Sequence, residues 1–228
     1  MLGEKPLFEA TIDLPSAQWT CLLGPSGVGK STILRLLLGL ETGGTFSGSI
    51  QAQDGQEITS RVSYMAQSDL LLPWLSVTEN TLIGAKLRGQ TPDTDRAKKL
   101  LDRVGLSDHA AKTPAALSGG MRQRAALART LMEDRPVVLL DEPFSALDAG
   151  TRADMQELAA EVLKGKTVLL VTHDPAEAAR LGEQILVMSA TEAAQWPVPK
   201  TPAIRDINAP ETLDCQANLL EHLRRVEP

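Results

Sequence analysis

The stretch "WTCLLGPSGVGKST", residues 19–32, indicates the fold class of this chain most directly. A mostly apolar run at 19–23, typical of a strand, is followed by a glycine-rich loop and then by Lys30, where a helical pattern begins. The loop fits the pattern G-x-x-x-x-G-K-[ST], in which glycines let consecutive backbone N–H groups curl around phosphate oxygens. Lys30 would reach the β- and γ-phosphates of a nucleotide, and Ser31 would bind Mg²⁺. A glycine-rich connection with a chance lysine is the alternative, which the flanking strand and helix disfavour. The expected nucleotide-binding residues of the loop are Gly24, Pro25, Ser26, Gly27, Val28, Gly29, Lys30, Ser31 and Thr32.

Short apolar runs alternate with helical patterns along the chain, which predicts an α/β fold around a largely parallel sheet. The runs at 137–141 and 167–171 are almost continuously apolar, as in strands covered on both faces. The early segments 7–14 and 48–58 alternate more, and we expect an antiparallel edge there. The expected core strands are WTCLL (19–23), RVSYMA (61–66), VVLLD (137–141), TVLLV (167–171) and QILVM (184–188).

Helical patterns replace the strands between about residues 69 and 134. Ser76 and Glu79 fit a capping box that opens a helix through about Leu87, and Gly105 ends the helix after that. We therefore expect one domain in which a helical lobe interrupts an α/β core. Its expected parts are a core lobe at about 1–68 and 134–190, a helical lobe at about 69–133, and a tail at about 191–228 that ends in an amphipathic helix, all within a single domain over 1–228.

The composition narrows the function classes. Apolar residues make up 43% and charged residues 23% of the 228 residues, which is typical of a globular protein. The net charge of −6 disfavours a broad basic surface, so no nucleic-acid partner is expected. Cys21 and Cys215 are far apart in the sequence, and the three histidines form no metal-binding cluster. With neither a signal peptide nor a run of about 18 apolar residues, the sequence predicts a cytoplasmic location.

Polar residues follow three of the expected strands. Asp141 and Glu142 come directly after an apolar run, at the strand end where ligands gather in α/β sheets. Asp141 is suited to the Mg²⁺ shell, and Glu142 to accepting a proton from an attacking water, although acidic residues at strand ends can also cap helices. Gln67 and His173 also follow strands, and each would by itself be read as a structural polar residue.

The stretch "LSGGMRQRAALAR", residues 117–129, reads as the mouth of a second anion site. Ser118, Gly119 and Gly120 lead into an amphipathic helix, whose free N–H groups and dipole favour a phosphate or carboxylate. The stretch contains no lysine to hold a polyphosphate, so this second cradle is incomplete.

Five stretches, in this order, resemble the ATP-binding cassette (ABC) ATPases: "GPSGVGKST", Gln67, "LSGGM", "VVLLDEP" with "SALD", and His173. The match covers nearly the whole chain, and "LSGGM" is specific to that family among phosphate-loop proteins. The resemblance implies a P-loop NTPase fold of the ABC type, with a RecA-like parallel-sheet core, an antiparallel β portion and an inserted helical lobe. It also implies ATP hydrolysis as the activity, with ATP and Mg²⁺ bound.

The resemblance explains the incomplete cradle. In ABC ATPases two copies pack head to tail, so Ser118, Gly119 and Gly120 would contact in trans the γ-phosphate held by Lys30 of a second copy of this chain. Gln67 resembles the glutamine that senses the γ-phosphate and links the lobes, His173 the switch histidine, and Asp148 the aspartate that couples the two sites of the homodimer. The resemblance implies a catalytic set of Glu142, His173, Gln67 and Lys30. It implies Mg²⁺ ligands from Ser31, Gln67 and Asp141.

Two departures from the family pattern stand out. Met121 occupies a position where many members have Gln, which leaves the Ser-Gly-Gly intact. The aromatic residue that stacks on adenine in the family falls at or just before Met1, so either the sequence starts internally or base stacking is weak, and no stacking residue is assigned. Phe8 and Trp19 are expected to pack in the core.

The segment "SDLLLPWLSVTEN", residues 68–80, follows Gln67, where ABC importers dock the coupling helix of their membrane subunits. Leu71, Leu72 and Trp74 would form an apolar contact there with transmembrane permease subunits. In the alternative, these leucines belong to the core of the helical lobe. With "LLPWLSV" and "LSGGMRQRAALARTL", the chain resembles the nitrate, sulfonate and taurine importer group. Within that group, "QWTCLLGPSGVGKS" and "MAQSDLLLPWLSV" resemble the ATPases of importers of thiamine precursors (hydroxymethylpyrimidine).

The expected protein is thus the ATPase subunit of an importer, peripheral on the inner face of the cell membrane. It would drive small-molecule uptake through separate transmembrane subunits and act indirectly with a periplasmic or extracellular substrate-binding protein. Two alternatives stay open. One is a soluble ABC ATPase of DNA repair or translation, a class that usually carries a coiled-coil insertion or tandem cassettes. The other is a scaffold that binds nucleotide without hydrolysing it.

Overall fold

The computed structural model describes residues 8–189 and 192–226. The strands of this part of the chain are β1 (Trp19–Leu23), β2 (Val62–Met65), β3 (Val137–Asp141), β4 (Thr167–Val171), β5 (Gln184–Met188) and β6 (Ala193–Trp196). The α-helices are α1 (Lys30–Leu37), α2 (Val77–Leu87), α3 (Thr94–Arg103), α4 (Gly119–Met132), α5 (Ala149–Val162), α6 (Pro175–Leu181) and α7 (Pro210–Val226). None of these helices is both long and apolar enough to cross a membrane.

The described residues divide into two compact units. The first contains the residues as far as Val62, Pro136–Leu139 and the residues from Gly165 onward. The second contains Ser63–Arg135 and Leu140–Lys164. The boundary passes through β3, whose first three residues belong to the first unit and whose last two belong to the second.

The first unit is built on the strand order β4-β1-β5-β6. Strand β1 is parallel to β4, with Leu22 opposite Val171, and parallel to β5, with Leu22 opposite Leu186. All five residues of β1 are buried, which explains why its sequence is apolar without alternation. Strand β6 runs antiparallel to β5 and supplies the antiparallel part of the sheet in this unit.

The antiparallel edge expected at 7–14 and 48–58 is absent from the described residues of those segments, 8–14 and 48–58. Leu7 lies outside the described residues. Most side chains at 48–58 are exposed, and a hairpin without a third strand or a covering helix has too little apolar burial to be stable.

Arg205 fixes the chain after β6 to helix α6. The residue is 4% exposed, and its guanidinium donates to the carbonyl oxygens of Pro199, Thr201, Ala179 and Gly182 at 2.8–3.1 Å. A buried cation is stable only with such full hydrogen bonding. The tail is therefore a fixed part of the first unit as far as α7, which packs on α6.

The second unit is helical around the packing of α2, α3 and α4. Ser76 and Glu79 form the expected capping box at the start of α2, and Gly105 follows α3 with φ 65°. Ala125, Ala128 and Leu131 are buried along one face of α4, because residues three and four apart share a helix face. Met121 has the same apolar spacing but is only half-buried.

Candidate nucleotide site

The phosphate loop connects β1 to α1 in the first unit. Gly29 is the N-cap of α1 with φ 112°, and no side chain caps this helix. The Lys30 ammonium donates to the carbonyl oxygens of Gly24 and Pro25, at 2.6 and 2.9 Å. The loop thus surrounds its own cation, and phosphate oxygens would be additional acceptors for the same ammonium.

Two loop positions require glycine, Gly24 because of a close backbone neighbour and Gly29 because of its φ of 112°. A Cβ at Gly24 would lie 2.5 Å from the Met188 carbonyl oxygen, and one at Gly29 would lie 2.7 Å from the Phe8 ring. Phe8 is half-buried against this loop, which revises the expectation that it packs in the core. Trp19 is 7% exposed, as expected for a core residue.

His173 follows β4, which lies next to β1 in the same parallel sheet. Parallel neighbours end at the same sheet edge, so the phosphate loop and His173 both start from that edge of the first unit. Thr172 donates to Glu177 at 2.7 Å and accepts from the Asp174 N–H at 3.0 Å. These bonds hold the backbone on both sides of His173, while the imidazole is exposed.

In the second unit, Asp141 and Glu142 end β3 in different environments. Asp141 is 6% exposed, and the Tyr64 hydroxyl lies 3.5 Å from its carboxylate. Glu142 is half-buried with φ 49°, a left-handed conformation that is uncommon for a residue with a side chain. The amide of Gln67 donates to the Glu142 carboxylate at 3.2 Å. The structure therefore brings together Gln67 and Glu142, two residues that are 75 positions apart.

The second cradle forms the N-terminus of α4. Ser118 is its N-cap, and the serine hydroxyl accepts from the Met121 N–H at 3.3 Å. Ser118 and Gly119 are exposed, and the first turn has no acidic residue. The nearest cation on the helix, Arg122, is turned to Asp69 at 3.0 Å and to the Leu117 carbonyl at 2.9 Å. The cradle thus offers backbone N–H groups to an anion.

Asp148 is the N-cap of helix α5. Its carboxylate caps α5 by accepting from the Thr151 N–H at 3.0 Å. This bond holds the pKa of Asp148 below its usual range.

Of the three residues expected to form the docking contact, Leu71, Leu72 and Trp74, only Trp74 is exposed. Leu71 is 8% exposed and packs in the interior of the second unit, and Leu72 is half-buried. The exposed large apolar side chains of this segment are Trp74 at 72% and Leu70 at 62%. Leu70 has φ 45°, and this left-handed residue changes which leucine faces solvent, which sequence spacing does not show.

The same segment is held by helices α2 and α4. Asp69 binds Arg122 and accepts from the Leu71 N–H, while Arg129 donates to the Asp69 and Leu70 carbonyls at 2.7 Å each. Buried Asn80 pairs with the backbone of Leu72 in both directions. Leu70 and Trp74 are therefore presented on a fixed backbone.

The proposed Mg²⁺ ligands suit a hard cation, because Ser31, Gln67 and Asp141 offer hydroxyl, amide and carboxylate oxygens. In the described part of the chain, no group of three or more His, Cys, Asp and Glu residues could by itself hold a metal ion. Burial raises the pKa of both Cys21 and Cys215, so these thiols stay protonated and are no candidates for nucleophiles.

Comparisons with known proteins identify the family of this chain. Residues 7–145 match the family model described as ABC transporter. An ABC transporter ATP-binding protein of Haemophilus influenzae is 46% identical over 94% of this chain and 88% of its own length. Aliphatic sulfonates import ATP-binding proteins of Paracoccus denitrificans and Escherichia coli are 41% and 39% identical, over 97% and 95% of this chain and 89% and 84% of their own. This chain therefore belongs to the ABC transporter family.

Proposed function

We propose that this chain is the ATP-hydrolysing subunit of an ABC importer, and that two copies bind two MgATP molecules in a head-to-tail dimer. The observation that carries the hydrolytic part is the contact between Gln67 and the Glu142 carboxylate at 3.2 Å, on a backbone with φ 49°. A protein that only binds nucleotide has no need for a carboxylate presented in this way. This favours turnover over the scaffold alternative.

In the proposed reaction, Glu142 accepts a proton from the water that attacks the γ-phosphorus. The bond between the γ-phosphorus and the bridging oxygen breaks, which leaves ADP and phosphate. Lys30 and His173 stabilise charge on the phosphate oxygens. Ser31, Asp141 and Gln67 would hold Mg²⁺, which neutralises charge on the β- and γ-phosphates.

The α4 N-terminus acts in trans in this proposal. Exposed Ser118 and Gly119 offer N–H groups and the positive end of a 14-residue helix. Such a cradle suits an anion that is already held by a lysine elsewhere, as Lys30 of the second copy would do. Asp148 follows the same division of roles: it caps α5 within one copy and couples the sites across the dimer.

The importer part of the proposal rests on the relatives that are named for import and on the fixed segment that carries Leu70 and Trp74. We place transmembrane permease subunits on this segment, and the chain on the cytoplasmic face of the membrane, with a substrate-binding protein as an indirect partner. The names of the relatives favour an alkanesulfonate as cargo over hydroxymethylpyrimidine. A soluble role in DNA repair or translation has no comparable support.

The test is Glu142→Gln, studied by light scattering with and without MgATP and by steady-state ATP hydrolysis. Loss of the general base should slow hydrolysis by roughly 10²–10⁴-fold, which traps the closed dimer, so the mass should double only with nucleotide. Glu161→Gln is the matched control, because Glu161 is an exposed partner of Arg103 in the same unit and its loss should change little.

A Glu142→Gln variant that stays monomeric at saturating MgATP would contradict the trans cradle. A wild-type protein that dimerises with MgATP but does not hydrolyse it would restore the scaffold alternative. Hydrolysis that is unaffected by Glu142→Gln would exclude Glu142 as the general base.

A further inference from the structure

Gln123 is a buried polar residue of α4, on the side of the helix opposite Ala125 and Ala128, and the motifs do not account for it. It is 6% exposed, and both ends of its amide are bonded to one loop. The amide nitrogen donates to the Glu142 carbonyl oxygen at 2.9 Å, and the amide oxygen accepts from the Ala146 N–H at 2.9 Å. A single side chain thus spans the loop that leads from β3 toward α5.

The residue at one end of this bridge is strained. Glu142 has φ 49°, a conformation that side chains rarely adopt and that persists only where the surroundings impose it. Its carbonyl oxygen accepts from Gln123 and also from the Ser145 hydroxyl at 3.0 Å. The Gln123 and Ser145 side chains therefore hold the backbone from which the Glu142 carboxylate projects.

The bridge also fixes the direction of that carboxylate. The Glu142 Cβ follows from the backbone conformation, and the Gln67 amide meets the carboxylate at 3.2 Å. If the backbone relaxed to a right-handed conformation, the carboxylate would point elsewhere. A displacement of about 1 Å in a reacting group is enough to cost roughly 10²-fold in rate.

We propose that Gln123 is a positioning residue for hydrolysis: its amide clamps the backbone of Glu142 and Ala146 and so aims the Glu142 carboxylate. The inference rests on the proposed function, in which Glu142 is the general base. It adds a role for the helix that carries the second cradle: Ser118 begins α4 at the anion site, and Gln123, one turn further on, holds the catalytic loop of the same copy.

The first experiment measures kcat and KM for ATP in Gln123→Met, which keeps the length of the side chain and removes both hydrogen bonds. We expect kcat to fall roughly 10–100-fold while KM changes less than about twofold, because the phosphate loop is untouched. Thr130→Val is the matched control: Thr130 is equally buried on α4, but its hydroxyl bonds only within the helix, to the Ala126 carbonyl. Its kcat should stay within about twofold of wild type.

The second experiment repeats Gln123→Met in the Glu142→Gln background and follows single-turnover hydrolysis. If Gln123 acts through the Glu142 carboxylate, the second substitution should add little to the loss caused by the first. An equal loss in both backgrounds, or a wild-type kcat for Gln123→Met, would overturn the proposal. If Glu142→Gln alone hydrolyses ATP like the wild type, the proposed general base fails instead, which the same data reveal.

A substitution at the surface tests the same proposal if Gln123→Met does not fold. Ser145→Ala removes the other side-chain donor to the Glu142 carbonyl, and Ser145 is exposed. We expect kcat to fall by about threefold to tenfold with unchanged KM, again only when Glu142 is present. An unchanged kcat for Ser145→Ala, together with an unfolded Gln123→Met, would mean that the loop is held by packing and would overturn the proposal.

Discussion

Helices α2 and α4 begin with the same cap and differ in the first turn. Ser76 has φ −65° and ψ 166°, and Ser118 has φ −68° and ψ 166°. In α2, the Glu79 carboxylate accepts from the N–H and hydroxyl of Ser76 at 2.9 and 2.8 Å. In α4, the same position is Met121, and the first turn has no acidic residue.

The difference shows how a helix end is closed or kept open. A carboxylate in the first turn satisfies the positive end of the dipole from within the chain, as Glu79 does for α2. A Gln or Glu at position 121 could close the same box at α4, and Met121 cannot. The departure from the common family residue therefore leaves the anion cradle at least as open, and Gly119 and Gly120 add no side chain in front of it.

The largest effect is expected from Met121→Glu, which would give α4 the first-turn carboxylate that α2 has. A carboxylate at this position can close a capping box with Ser118 and repels a γ-phosphate, and such like-charge contacts cost several kcal/mol. We expect ATP hydrolysis to fall roughly 10²-fold and MgATP-driven dimerisation of the Glu142→Gln protein to be lost. Met121→Gln has the same length without the charge and is the control. Wild-type hydrolysis in Met121→Glu would show that the α4 N-terminus meets no phosphate.

The next largest effect is expected on permease binding. Trp74 lies just before the capped N-terminus of α2. Since Trp74 is 72% exposed and anchors of this type dominate protein interfaces, Trp74→Ala should weaken the association with permease by roughly 30-fold. Co-purification of the permease with the tagged chain measures this. Leu87→Ala is the control, because Leu87 is 80% exposed at the other end of α2. Equal recovery of permease with both variants would contradict docking at Trp74.

Most of the strands could be predicted from the sequence because they are almost entirely buried. The runs at 19–23, 137–141, 167–171 and 184–188 match β1, β3, β4 and β5 residue for residue. Strand β6, Ala193–Trp196, was not predicted, since its two middle residues are exposed and its pairing is set by β5. Local alternation at 7–14 and 48–58 predicted strands that the described residues lack, because a strand also needs a neighbour.

The sequence predicts the motif residues of the site, but not the residues that hold them in position. Lys30, Asp141, Glu142 and the cradle at 118–120 follow from spacing and strand ends, and their roles stay proposals. No sequence signal marks Gln123, because it lies outside the apolar stripe of α4, and its partners depend on the left-handed Glu142. The exposure of Leu70 rather than Leu71 depends in the same way on a positive φ, which no spacing reveals.

The smallest expected effect concerns the contribution of Glu79 to the stability of α2. The hydrogen bonds from Ser76 lower the pKa of Glu79 below its usual range, so the folded state favours the carboxylate. This contribution to stability is present above the pKa of Glu79 in the unfolded chain and is lost as the pH falls through its lower value in the folded protein. Glu79→Met should therefore lower Tm slightly at pH 7, by about 3 °C or less, and the difference from wild type should vanish in acid.

Glu79→Gln keeps a side chain that can complete the box, and its Tm should lack this pH dependence. A difference between wild type and Glu79→Met that stays undiminished once Glu79 is protonated in the folded protein would mean that the side chain stabilises α2 without its charge, and the contrast with Met121 would then lose its electrostatic basis.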